Sequence, residues 1–240
     1  MAKPGAPNAA PPAPEADSPH YAGHRQRLRA RFIETTGRGM PDYEIMELLL
    51  ALAIPRQDVK PLAKRLIATF GTFGEVISQP YERLVEVDGV KEATASALML
   101  AREAALRLLE GQARTRSVIS SWTALIDYLS ARHAYNDTES FHVLFLDRKN
   151  MLIRDEPFAR GTVDQAPVYP REVARRALEL AASAAILVHN HPSGDPTPSR
   201  ADIDMTREVA GALKAIGITL HDHVVVGRGQ HISFKSQGLI

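Results

Sequence analysis

The hydrophobic pattern of the chain changes period near residue 120, and that change limits the fold more than any other feature of the sequence. Before it, apolar residues recur at helical spacing, which predicts helices over His24 to Thr36, Tyr43 to Ala53, Val59 to Phe70, Pro80 to Val87 and Glu92 to about Leu109. Pro41 and Pro55 separate the first three. After a helix over Trp122 to Ala131, which Ser120 or Ser121 can cap, short apolar runs take over. Phe141 to Leu146 and Met151 to Ile153 flank Asp147-Arg148-Lys149-Asn150 as the strands of a hairpin would. Pro170 suits the first turn of a helix over Arg171 to Ala182. Ala185 to Val188 reads as a short buried strand, Ala201 to Ile216 as a helix, and Ile218 to Val226 as a strand with a partner at His231 to Phe234. Strands interleaved with helices predict a mixed α/β domain over 120–240, preceded by a small all-helical domain over 20–111. Residues 112–119 form the expected linker. Met1 to Pro19 hold six prolines among small residues, too little apolar surface to offset the entropy of ordering, so a disordered tail is expected.

Charge and composition exclude more than they suggest. With 29 Lys+Arg against 28 Asp+Glu, the chain has no global field to gather nucleic acid or anionic membrane. The absence of cysteine removes disulfides, thiolate metal ligands, iron–sulfur clusters and a cysteine nucleophile together. A metal here must use histidine and carboxylate. No apolar leader core and no run of about 18 apolar residues occurs, so a cytoplasmic protein without a membrane partner is expected.

The stretch richest in chemistry runs from Ile186-Leu187-Val188 through His189-Asn190-His191-Pro192-Ser193-Gly194 to Ser199-Arg200-Ala201-Asp202. Residues two apart on a strand share a face, so an apolar strand ending in His-x-His aims two imidazoles at one point. The Pro/Gly-rich loop then returns the chain, and Asp202 arrives in the first turn of the next helix to complete a three-ligand set. Three protein ligands leave one position of a zinc ion open to water, whose pKa falls to roughly 7. Two plainer readings stand beside this one. Ser-x-x-Asp is also a capping arrangement, and paired histidines also occur as half-buried polar residues at strand ends. Other His-x-His enzymes fit poorly: a TIM barrel needs about 250 residues, whereas 49 follow His191, and a zinc nucleobase deaminase needs cysteine ligands.

His-x-His, seven residues, then Ser-x-x-Asp matches the JAMM metalloprotease motif. The wider context resembles the RadC family: Pro170-Arg171-Glu172 precedes the block, Pro198-Ser199 lies within it and Asp222-His223 follows. In the helical half Gly23-His24-Arg25, Asp42-Tyr43-Glu44 and Pro55-Arg56-Gln57-Asp58-Val59-Lys60 agree as well. The resemblance implies an MPN/JAMM-like fold for the second half, a mixed sheet flanked by helices, and a zinc-dependent hydrolase of amide or isopeptide bonds acting on a peptide or protein substrate. By it, His189, His191 and Asp202 are the metal ligands. The JAMM glutamate lies just before an apolar strand, a setting that Glu139 has and Glu156 and Glu172 lack, so Glu139 is the expected general base. Ser199 is the expected donor to the oxyanion. His221 and His223 fall on one expected strand face and are left outside this set.

Leu84 to Ala93 resembles the hairpin of a helix-hairpin-helix, with Gly89 in place but Lys91 where a second glycine is expected. Arg25, Arg27, Arg29 and Arg31 form a basic run. Residues 1–115 nevertheless hold 15 basic and 14 acidic side chains, so packing explains the hairpin and a solvated face the arginines. A DNA-associated protein with weak contact through the helical half, and a non-catalytic MPN interaction module, remain as alternative functions.

Overall fold

The computed structural model describes residues 20–115, 117–118, 121–160 and 168–240. The expected tail over 1–19 and Ser120 as a helix cap lie outside them. In the first half, α1 (His20–Thr35), α2 (Asp42–Ala53), α3 (Lys60–Phe70), α4 (Phe73–Ile77), α5 (Tyr81–Val85) and α6 (Glu92–Thr115) follow one another. They close over one core that includes Met46, Leu50, Leu62, Leu66, Leu84 and Leu98. The pattern of apolar residues missed α4, because five residues are too few to display a period. Its signal was local instead: Thr72 and Glu75 form a reciprocal capping box at its start.

α6 runs on to Thr115, through Gly111 and into the expected linker. A glycine costs a helix about 1 kcal/mol relative to alanine, and the good helix formers around Gly111 offset it. The helix also reaches the second half, where Leu109 packs on the core beneath α7 and Arg102 Nη2 donates to the Arg132 carbonyl at 3.1 Å. No described helix is long and apolar enough to cross a membrane.

In the second half come α7 (Trp122–His133), β1 (Ser140–Leu146), β2 (Leu152–Arg160), α8 (Pro170–Glu179), β3 (Ala184–Asn190), α9 (Arg200–Ala215), β4 (Thr219–Gly227) and β5 (Gln230–Ser233). The sheet order is β2-β1-β3-β4-β5. Among the described strands only β3 and β4 pair in parallel, joined by α9 as a parallel connection requires. Side chains alternate between the faces. Phe141, Val143, Phe145, Ala185 and Leu187 meet Val173 of α8 and Val209 and Leu213 of α9. Leu144, Leu146, Ile186 and Val188 meet Leu125, Tyr128 and Leu129 of α7. The sheet is therefore covered on both faces, and β1 and β3 are buried along their whole length.

Two local expectations change. β2 continues well past Ile153, because Arg154, Asp155, Glu156 and Pro157 hide its alternation; as an edge strand it tolerates a proline. Ser121 stands at the N-cap of α7 without capping it, its hydroxyl being given to the Ser117 carbonyl.

In the helical half, the turn between α5 and α6 is tied inward. Gly89 takes a φ of +91°, open to glycine and strained for other residues. Val87 and Val90 are buried, and Arg65 donates to the Asp88 carbonyl at 3.0 Å. Lys91 is exposed. Within the arginine run, Arg25 is bonded to the Ile54 carbonyl and Arg31 is paired with Glu44 at 2.9 Å. A solvated face therefore describes Arg27 and Arg29 better than their two neighbours.

Candidate metal centre

β3 delivers His189 to the α8/α9 face, where the ring stacks on Phe141, its cross-strand neighbour, at 6.1 Å between centroids. His191 lies just past the strand end. The loop after it is held against the tip of β4: the Gly194 carbonyl accepts from Arg228 N–H at 3.1 Å. A Cβ on Gly227 would collide with that same carbonyl. α9 then opens at Ser199 and returns Asp202 to the histidines. His189 Nε2 lies 2.9 Å from His191 Nε2 and 3.4 Å from Asp202 Oδ1, and His191 Nε2 lies 3.7 Å from Asp202 Oδ2.

The hydrogen bonds behind these atoms assign the protons. His191 Nδ1 faces the Asp195 carbonyl at 2.8 Å. A carbonyl only accepts, so that nitrogen carries the hydrogen and Nε2 of the neutral ring carries a lone pair. His189 leads to the same result through a longer chain. Thr206 Oγ1 gives its one hydrogen to the Asp202 carbonyl and so accepts from His223 Nδ1 at 2.6 Å. His223 Nε2 then accepts from His189 Nδ1 at 2.8 Å. His189 Nε2 is left with a lone pair. Two imidazole lone pairs and a carboxylate thus converge, an arrangement that repels itself unless a cation lies among them. This donor set, two histidines and a carboxylate, fits a zinc ion.

The electrostatics agree. Burial opposes the charge of Asp202, but the neighbouring His189 and His191 and the bonds from Ser199 hold its carboxyl far below the usual carboxylate range. The Asp202 carboxylate raises the pKa of His191 against the effect of burial, and the Asp195 carbonyl and the charge of Glu139 act in the same direction, so the site draws positive charge to that ring. Burial pushes His223 well below the usual histidine range, so it serves as a neutral relay.

Asp202 also caps α9. Its Oδ2 accepts from Ser199 N–H at 2.7 Å and from Ser199 Oγ at 2.6 Å, while Ser199 Oγ accepts from Asp202 N–H at 3.1 Å. The capping and metal readings are therefore compatible: Oδ2 is engaged by the cap, and Oδ1 faces His189. The Ser199 hydroxyl hydrogen is spent on Asp202, not aimed at open space.

Glu139 is half-buried in the loop before β1, near enough for its charge to act on His191. It has no ion-pair partner among the described residues. Arg176 holds Glu156 through both oxygens, and Arg175 pairs with Glu172 at 3.0 Å.

Two neighbours lie outside the set of site residues expected from the sequence. Asn190 points to the face opposite His189 and is fully buried. Its Oδ1 accepts from Ser140 N–H at 2.9 Å and Ser140 Oγ at 2.7 Å, and its Nδ2 donates to the Thr138 carbonyl at 3.1 Å. It therefore ties the segment carrying Glu139 to the strand carrying the histidines. The alternation of the strand was the signal that could have found it, since a polar residue between two site histidines must face something else. His223, the other residue outside that set, holds His189 directly. The expectation that it shares a face with His221 fails, because β4 slips register opposite Ala185/Ile186. His221 instead lines a cavity with Asp222, Ile186 and Trp122 and bonds Asn150 at 2.6 Å.

A covered mixed sheet whose third strand ends in this cluster defines a domain of the JAB/MPN type, and the family model of the RadC-like JAB domain matches residues 119–239. A UPF0758 protein of Ruegeria pomeroyi is 55% identical over 217 residues, covering 90% of this chain and 97% of its own length. One from Rhodobacter capsulatus is 57% identical over 213 residues, covering 89% and 100%. The chain belongs to the RadC family.

Proposed function

We propose that this protein is a zinc-dependent hydrolase of amide or isopeptide bonds, with a segment of peptide or protein as substrate. The observation that carries the reading is the convergence of the two proton-free Nε2 atoms with Asp202. His189, His191 and Asp202 would hold a zinc ion, which would supply Lewis-acid activation of water and of the scissile carbonyl. Glu139, the nearby carboxylate without an ion-pair partner among the described residues, takes the proton from the attacking water and passes it to the departing nitrogen. Ser199 orients Asp202 in the resting site and, by turning its hydroxyl, donates to the developing oxyanion. His223 keeps the lone pair of His189 on Nε2, as partners behind metal-binding histidines commonly do. DNA contact by the helical half has weaker support, since its hairpin and two of its four clustered arginines are engaged internally.

Glu139→Gln tests the reading. The variant should keep its metal and lose roughly 10²- to 10⁴-fold in turnover of a peptide or isopeptide substrate. Turnover at the wild-type rate would remove Glu139 from the mechanism.

A further inference from the structure

We infer that the protein holds a second divalent cation of the zinc class, between His133, His142 and Asp155 on the α7 face of the sheet. The three residues come from different elements: the last residue of α7, the third of β1 and the fourth of β2. Each offers a ligand atom within 4.8 Å of the others. The cluster is separate from the first one, since β1 sends Phe141 to His189 on one face and His142 to this cluster on the other.

The cluster is enclosed and largely preorganised. His133 and His142 are 1% and 6% exposed, and the Asp155 side chain is 4% exposed. Nε2 of His133 is buried without a hydrogen-bond partner among the described residues, a condition that native interiors avoid. Its ring lies 4.4 Å from that of His142. Asp155 is already oriented: Oδ1 lies 2.8 Å from His142 Nδ1, and Oδ2 accepts from Tyr128 Oη at 2.6 Å. Burial raises the Tyr128 pKa, so the phenol remains a donor.

Charge around the cluster decides which ligand it suits. Burial opposes the charge of Asp155, but the bonds from His142 and Tyr128 hold its pKa down to about 2, leaving an anion. Burial, with the charges of His142, Arg132 and Arg102, lowers the His133 pKa to about 3. Arg132 lies 3.7 Å from Asp155 Oδ2 and limits affinity without occupying the interior of the cluster. Two imidazoles and one carboxylate, with no further acidic group in the set, suit zinc or cobalt better than calcium or magnesium, which prefer oxygen ligands. Enclosure favours a structural ion, clipping the end of α7 to the β1/β2 hairpin, with its binding free energy added to folding.

The test uses the full chain with His189→Ala and Asp202→Asn, which disable the first cluster. After equilibration with zinc and desalting, elemental analysis should find one zinc per chain, and melting should move up by at least about 4 °C. Cobalt in place of zinc should produce strongly shifted ring-proton resonances from His133 and His142, and Tyr128→Phe should weaken binding by roughly 10- to 100-fold. In the unmodified chain the total should be two. A chain that retains no zinc once the first cluster is disabled, or one whose cobalt leaves both histidines unshifted, overturns the inference. Because the unmodified chain gives the same reading by cobalt shifts, poor folding of the variant leaves the test decisive.

Discussion

The two clusters of paired histidines and an aspartate occupy opposite faces of one sheet and differ chiefly in how the carboxylate is held. Asp202 sits in the first turn of α9, beside a loop, with the backbone and hydroxyl of Ser199 on one oxygen. Asp155 sits in an edge strand roofed by α7, with a phenol and a guanidinium against it. A helix start presents backbone N–H groups that favour an anion yet leave the other side of the carboxylate accessible. A roof of side chains leaves no such approach. Similar side chains thus suit chemistry in one place and structure in the other.

The largest effect should come from Asp202→Asn, which keeps an oxygen for the cap but removes the anionic ligand. Zinc at the first cluster and all hydrolysis above background should disappear, while thermal stability of the metal-free protein changes little. An Asp202→Asn protein that retains zinc at His189 and His191 would reduce Asp202 to a cap. Next in size is an effect of pH on the second cluster. In metal-free protein, unfolded His133 takes up a proton below about pH 6.5, whereas folded His133 stays neutral down to about 3. Between those values the unfolded state binds more protons, so acidification lowers stability, by a few kcal/mol in all on an order-of-magnitude basis. Urea unfolding at pH 7 and pH 4.5 should show a smaller difference in His133→Gln than in the wild type.

Asn190→Ala should lower turnover by roughly 10²-fold, about 2.7 kcal/mol, with KM nearly unchanged and zinc retained, because Glu139 loses its register with the histidines. An equal loss in KM and none in kcat would deny Asn190 a positioning role. The smallest change is Ser199→Ala, which should cost about 1 kcal/mol of stability through the lost cap. Calorimetry reads that change directly, and turnover of the metal-loaded variant measures any further contribution to the oxyanion.

The first cluster was legible because it is local. An apolar strand, a short loop and a helix start bring His189, His191 and Asp202 together within 14 residues of chain, and each step follows from strand alternation or capping. His133, His142 and Asp155 have no such shared motif, and their meeting depends on how α7 lies across β1 and β2. Asp155 was harder still to find, since its strand carries a proline and three consecutive charged residues. The alternation that placed His189 also implied that Asn190 faces the opposite way, but its partners belong to a loop whose path only tertiary packing defines. Glu139 came from resemblance, as a carboxylate before an apolar strand has no geometric signature of its own. The slip in β4 that separates His221 from His223 adds one residue and breaks a period-two argument at that point.

α6 spans 24 residues, about 36 Å at the rise of an α-helix, and belongs to both halves. Leu98 lies in the helical core, whereas Leu109 covers the sheet domain and Arg102 grips the end of α7. The family match begins at residue 119, so a fragment cut at that boundary would forfeit this shared beam and bare the apolar surface beneath it. The boundary recognised by sequence comparison is therefore a poor place for scissors: an excised domain stays intact only if the last turns of α6 travel with it.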